Sequence, residues 1–190
     1  MQAHKPHTGN HIFTHTEDWK NKKRGTDMSI EIINDDICNA DCDIIVNAAN
    51  GIGFMGGVLG WFIKFSGVSE NLNYKTKGKV EREACIKCLK HYLIGYMPGN
   101  IYVTKGYNLK CKYIFHAVTM WLPGTFSTKR TINKLLPKIL DKAKEYGALS
   151  IAIPLLGTGV GHLNPKDVME IYHSIFDKAD VAVKIYVIKE

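Results

Sequence analysis

No apolar run in this chain is long enough to cross a bilayer, and the polar N-terminus lacks the apolar core that directs secretion. Neither a membrane-spanning nor an exported protein is expected. The standard phosphate fingerprints are missing as well. There is no Gly-x-x-x-x-Gly-Lys-[Ser/Thr], and Gly51-x-Gly53-x-x-Gly56 has no acidic ribose partner at the usual distance beyond it. No zinc-finger spacing and no aromatic-plus-basic motif of an RNA-binding sheet occurs, so nucleic acid is possible as a partner but supported by no motif. Cysteines are few and odd in number: Cys38, Cys42, Cys85, Cys88 and Cys111. Without an export signal, that count predicts reduced thiols and a cytoplasmic setting.

What the chain does have is a net charge of +7, carried by scattered lysines. A basic domain attracts anions in general, whether nucleotides, phosphorylated metabolites or nucleic acid. The densest basic cluster, Lys20, Lys22, Lys23 and Arg24, lies in an N-terminal stretch without apolar periodicity. That stretch also holds His4, His7, His11 and His15, which could chelate a metal. With no apolar pattern to fix their geometry, residues 1–27 read as a flexible polar arm. Residues 28–190 read as one domain with no internal repeat or linker, expected to be a monomer.

Strands and helices alternate along that domain. Ser29 to Asn34 alternates weakly and predicts a strand, and Ile44-Ile45-Val46, leading to Asn47, is a β-branched run of the kind buried on both faces of a sheet. Further strands are expected at Ile101 to Thr104, Tyr113 to Val118, Ser150 to Pro154 and Val181 to Ile188. Helical patterns cover Gly57 to Phe65, Lys79 to Tyr92 and Thr131 to Tyr146, the last with Pro137 near its first turns and Gly147 as its stop signal. Asn164 caps a final helix with Pro165 at its first position, running to about Lys178. The alternation predicts a three-layer α/β/α sandwich around a mixed central sheet.

Two glycine loops stand out. Each follows an apolar strand and precedes a helical segment: Gly51 to Gly60 in one case, Leu155 to Gly161 in the other. Glycine admits close backbone approach, and free N–H groups in such turns can cradle an anion without a P-loop lysine. Ligands of open α/β sheets sit beyond the carboxyl ends of the strands. The two loops are therefore expected to grip one diphosphate from both sides. Asp36, at the end of the first strand, would stand near the same crevice and accept from an exocyclic amine or a ribose hydroxyl.

Asp36-Ile37, Ile45-Val46-Asn47-Ala48-Ala49-Asn50, Gly56-Gly57-Val58, Gly106-Tyr107-Asn108-Leu109, Tyr113-Ile114-Phe115-His116 and Ile153-Pro154-Leu155-Leu156-Gly157-Thr158-Gly159 resemble the macrodomain family in order and spacing. The resemblance runs from Ser29 to the C-terminus. That family binds ADP-ribose, and many members cleave it from proteins, nucleic acid or small molecules. The likeness implies that Asp36 takes the adenine amine with the Ile37 backbone beside it, and that Asn50 touches the distal ribose as the candidate catalytic residue. It implies that Gly56, Gly57 and Val58 lie against the distal ribose and diphosphate. Leu155, Gly157, Thr158, Gly159, Val160 and Gly161 would form the second diphosphate loop. Asn47 joins this binding set, although tying loops together is its simpler role. No cofactor and no metal are implied; the partner would be ADP-ribose or an ADP-ribosylated acceptor.

Several residues depart from the pattern. MacroD-type hydrolases carry Gly-Gly-Gly-Val-Asp-Gly where this chain has Met55-Gly56-Gly57-Val58-Leu59-Gly60, so the catalytic aspartate is Leu59. Hydrolases with a lysine in the first loop and an aspartate in the second are not matched either, since Gly57 and Gly161 stand near those places. Gly161 also replaces an aromatic, which predicts a more open distal-ribose side. A non-catalytic reader of ADP-ribose is the alternative to a hydrolase. Elsewhere, Cys85, Cys88 and His91 share a helix face but read as core packing rather than metal ligands, and Cys38 and Cys42 as unreactive thiols. His116 reads as a core histidine bonded to the backbone, and His162 as the histidine better placed to meet ligand. Trp61, Phe62 and Phe65 are expected to pack the first helix.

Overall fold

The computed structural model describes residues 30–63, 66–91 and 94–187. The N-terminal arm, its histidines and basic cluster, Phe65 and the last residue of the expected closing strand lie outside them.

Six strands form one sheet: β1 (Ile30–Ile33), β2 (Ile44–Asn50), β3 (Ile101–Lys105), β4 (Tyr113–Met120), β5 (Ser150–Pro154) and β6 (Ala182–Tyr186). Their order across the sheet is β1-β6-β5-β2-β4-β3. Only β3 runs antiparallel to its neighbour, so the sheet is mixed. The β-branched run behaves as its composition dictates, with alternate side chains entering opposite cores. Ile44 and Val46 pack with Ile132, Leu136 and Tyr172, whereas Ile45 packs with Met55, Leu72 and Val80.

Helices α1 (Val68–Lys75) and α2 (Lys79–Lys90) cover the second of these faces; α3 (Lys129–Glu145) and α4 (Pro165–Phe176) cover the first. The result is the three-layer α/β/α sandwich. Capping sets the helix limits. Thr128 Oγ1 accepts from the Thr131 N–H at 3.1 Å, and Asn164 Oδ1 from the Lys166 N–H at 2.9 Å, with Pro165 beginning α4. Gly147, at φ 63°, takes the left-handed turn that ends α3.

Four elements differ from the sequence reading. β2 continues past Asn47 to Asn50, because Ala48 and Ala49 are small enough to stay in the ladder with β4. Pro137 sits in the middle of α3, which starts two residues earlier than expected; its exposed position leaves the carbonyl it cannot serve within reach of water. The segment after the first glycine loop is a single 3-10 turn, Val58–Trp61, rather than a longer helix. Phe62 is 75% exposed instead of packed. Helix α1 has no apolar periodicity to announce it, since its inward face carries Ser69, Asn71 and Asn73 beside Leu72.

Candidate functional site

Five strands run parallel, so their carboxyl ends share one edge of the sheet. Asp36 follows β1, the first glycine loop follows β2, the segment from Trp121 to Ser127 follows β4, and the second glycine loop follows β5. Topology alone thus brings the candidate residues of three distant sequence regions to one side of the molecule.

Asp36 caps the 3-10 turn Ile37–Asn39. Its Oδ1 accepts from the Cys38 N–H at 3.0 Å and from Asn71 Nδ2 at 2.6 Å. Burial works to raise the Asp36 pKa, but the Asn71 and Cys38 bonds outweigh it and hold the carboxyl below its ordinary value. The group is therefore a fixed anion at neutral pH, half-buried and reachable from solvent. Ile37 is buried beside it, which leaves its backbone as the part able to meet a ligand.

Helix α1 ties Asp36 to the first loop. While Asn71 holds Asp36, Asn73 Nδ2 donates to the Met55 carbonyl at 3.1 Å and to the Gly57 carbonyl at 3.3 Å. Inside the loop, Asn50 is 9% exposed and acts as a clamp. Its Oδ1 accepts from the Ile52 and Phe54 N–H groups at 3.2 and 3.1 Å, and its Nδ2 donates to the Phe54 carbonyl at 2.7 Å. An asparagine amide carries two N–H groups, so one remains for a ribose hydroxyl.

The first loop does not offer all its N–H groups to an anion, as a two-sided grip would require. Glu81 of α2, a buried carboxylate, already takes two of them: Oε1 accepts from Met55 N at 2.7 Å and Gly57 N at 2.8 Å. Its Oε2 accepts from Trp61 Nε1 at 3.1 Å and Asn73 Nδ2 at 2.9 Å. A buried charge costs several kcal/mol when unpaired, and four donors, two on each oxygen, offset that cost. Among the described residues the Gly56 N–H, between the two captured ones, has no acceptor. Met55, where a glycine stands in MacroD-type hydrolases, fills the core below the loop. Leu59 is 60% exposed, and Val58 is exposed beside it.

The second loop has more backbone donors in succession without an acceptor. Thr158 N bonds back to the Leu155 carbonyl and His162 N to the Gly159 carbonyl, yet among the described residues the N–H groups of Gly159, Val160 and Gly161 have no acceptor. Consecutive backbone N–H groups left without acceptors in a turn are the kind of donor that an anion can satisfy. Leu156, by contrast, is anchored: its N–H donates to the Tyr172 hydroxyl at 3.0 Å, and that hydroxyl donates to the Pro154 carbonyl at 2.6 Å.

Gly161 stands where a side chain has no room. A Cβ there would meet Ser127 Cβ at 2.8 Å, so the residue is a close approach to the segment after β4, reinforced by Ser127 N donating to the Gly161 carbonyl at 3.2 Å. An aromatic nevertheless stands nearby. Phe126 is 75% exposed, with its ring 5.5 Å from that of His162, itself exposed and in the left-handed region at φ 57°.

Asn47 lies at the base of this site rather than on its surface. It is fully buried, accepts from Ser69 Oγ at 2.9 Å and bonds His116 Nδ1 at 3.2 Å. His116 bonds side chains, not the backbone, because Thr104 Oγ1 meets its other nitrogen at 2.9 Å. Cys88 is buried among Ala84, Tyr102 and Val118, Cys85 Sγ donates to the Gly53 carbonyl at 3.4 Å, and His91 stacks on Tyr96 at 3.9 Å. Burial pushes the Cys38 thiol far up and Cys42 to about 12, so neither forms a thiolate at neutral pH.

Sequence reasoning missed Asn71, Asn73, Glu81 and Ser127. All four act on the site through backbone or carboxylate partners far away in the chain, and no local pattern marks them.

A family model described as Macro domain matches residues 46–172. A relative from Aquifex aeolicus, named only as an uncharacterized protein, is 34% identical over 142 residues, covering 74% of this chain and 76% of its own. The macrodomain of Mycobacterium tuberculosis DarG superposes with a TM-score of 0.70 at 24% identity, over 83% of this chain and 97% of that one. A mutant macrodomain of Oceanobacillus iheyensis, solved with ADPR, superposes with a TM-score of 0.69 at 19% identity, over 87% and 89%. The sheet, the two loops and these matches agree: the chain belongs to the macrodomain family.

Proposed function

We propose that this protein binds ADP-ribose in the crevice at the carboxyl edge of the sheet and releases it from a modified acceptor. The observation that carries the reading is a pre-oriented Asp36 at the same sheet edge as a second loop with three consecutive N–H groups that have no acceptor among the described residues. A carboxylate at one end of the crevice suits an exocyclic amine, and an N–H nest suits a diphosphate. The Oceanobacillus iheyensis macrodomain, a fold neighbour solved with ADPR, supports the same ligand.

Hydrolysis would have to proceed without a carboxylate at position 59. The remaining Asn50 N–H would orient the distal ribose, and the substrate's own phosphate would polarise a water held between them. Catalysis then rests on positioning and on backbone N–H groups facing developing charge. General base catalysis contributes about 10²–10⁴-fold, so turnover is expected to be slow.

One observation favours a second reading, that of a reader module. The carboxylate that bonds the first loop, Glu81, is buried and already accepts from four donors, so it presents no free oxygen to an attacking water. A turnover assay on mono-ADP-ribosylated protein, reading free ADP-ribose, decides between the two. Release that is lost in Asn50→Ala supports the hydrolase; tight binding without release on any acceptor assigns the reader.

A further inference from the structure

We propose that Glu81 is a positioning residue of the ADP-ribose site, acting as a built-in anion that holds the first loop in its ligand-ready shape. The inference rests on the binding reading above. Each carboxylate oxygen takes two donors, and the four come from three structural units: the loop backbone at Met55 and Gly57, the 3-10 turn through Trp61, and α1 through Asn73. Asn73 closes the arrangement by donating also to the carbonyls of Met55 and Gly57. The loop is thus clamped from inside by both its N–H and its carbonyl groups.

A glycine loop left alone samples many shapes. Gly56 at φ 104° and Gly57 at φ 64° adopt conformations that other residues rarely reach, and nothing in their own side chains selects them. Glu81 makes the selection. Glu81 takes the Met55 and Gly57 N–H groups for itself, and among the described residues those of Gly56, Val58 and Leu59 are left without an acceptor. The ligand's diphosphate then meets a first loop whose free donors are selected by Glu81, facing the N–H groups of Gly159 to Gly161 in the second. Ordering the loop beforehand removes an entropy cost that binding would otherwise meet. The Asp36 end is held by other groups, Asn71 and the Cys38 N–H, and shares with Glu81 only the helix α1 that carries Asn71 and Asn73.

Glu81→Gln keeps the shape but places an amide N–H₂ against two donors, whichever way it is turned. ADP-ribose affinity is expected to fall about tenfold or more through loss of preorganisation, whereas affinity for AMP, which depends on the Asp36 end, changes about twofold or less. Equal losses for both ligands would show a merely structural role and overturn the proposal. So would unchanged ADP-ribose affinity in the variant while the wild type binds. No binding of ADP-ribose by the wild type would remove the binding reading itself, and this proposal with it.

A measurement on the wild type keeps the test valid if the variant does not fold. Amide hydrogen exchange should show Met55 and Gly57 protected without ligand and still protected with it, and Gly56 protected only when ADP-ribose is present. Loss of protection at Met55 and Gly57 on adding ligand would mean that the diphosphate displaces Glu81, which contradicts the assignment.

Discussion

Asn47 and His116 form a buried pair whose orientation fixes a proton. Because Asn47 Oδ1 already accepts from Ser69 Oγ, its amide nitrogen is the atom facing His116 Nδ1 at 3.2 Å. With Nδ1 accepting from that amide, the ring proton sits on Nε2 and is donated to Thr104 Oγ1 at 2.9 Å. The ring also stacks on Tyr102, with centroids 4.6 Å apart. Through Ser69, whose hydroxyl also lies 3.1 Å from the Ala48 carbonyl, the chain of bonds links α1 to β2, β4 and β3 beneath the glycine loop.

This arrangement admits only neutral His116. Burial first, and Lys87 in addition, push its pKa down to about 3. In the unfolded chain the ring takes a proton below about pH 6.5, and in the folded protein not until about pH 3, so stability is lost as pH falls through that window. Urea unfolding should give a free energy about 2 kcal/mol lower at pH 5 than at pH 7.5. His116→Gln should be less stable at pH 7.5 but flatter between the two pH values. An equally steep profile in that variant would place the titration elsewhere.

The thiols make a second prediction. Burial, the largest cause in each case, raises Cys42 to about 12 and Cys88 and Cys111 to about 11, and also lifts Cys38. Cys85 is only half-buried and raised less. Mass-spectrometric mapping after brief iodoacetamide treatment at pH 8 should find modification at Cys85 first, with the other four following only on unfolding. Early labelling of Cys38 would show that the Asp36 turn opens.

Much of this architecture was legible in the chain and some was not. Ile44-Ile45-Val46 announces a doubly buried strand, and Asn164-Pro165 announces a helix start, because both signals are local. Helix α1 hides because its inward side chains, Ser69, Asn71 and Asn73, serve polar partners rather than an apolar core. Glu81 hides for a related reason. In Lys79-Val80-Glu81-Arg82-Glu83 it reads as one more surface charge, and its partners at Met55 and Gly57 are more than twenty residues away. The glycines of the first loop point to an anion; the sequence does not reveal that the protein supplies one of its own.

Asn50 and Leu59 carry the chemical prediction. Asn50→Ala removes three loop bonds, so stability should fall by about 1–3 kcal/mol and release of ADP-ribose should be largely lost. Leu59→Asp places a carboxylate at an exposed position of the 3-10 turn and is expected to raise turnover, toward the 10²–10⁴-fold or so that a general base supplies. Steady-state assays on one mono-ADP-ribosylated protein would compare both with the wild type. Full activity in Asn50→Ala would move the catalytic group elsewhere, with His162 the next residue to replace.

The central claim is that the crevice recognises ADP-ribose through Asp36 and the second loop, and titration calorimetry tests it most directly. ADP-ribose should bind the wild type at one site and well ahead of ATP, and Asp36→Ala should weaken it by about 1–3 kcal/mol, the cost of a lost charge-assisted hydrogen bond. Equal affinity for ADP-ribose and ATP, or undiminished ADP-ribose binding by Asp36→Ala, would contradict the account.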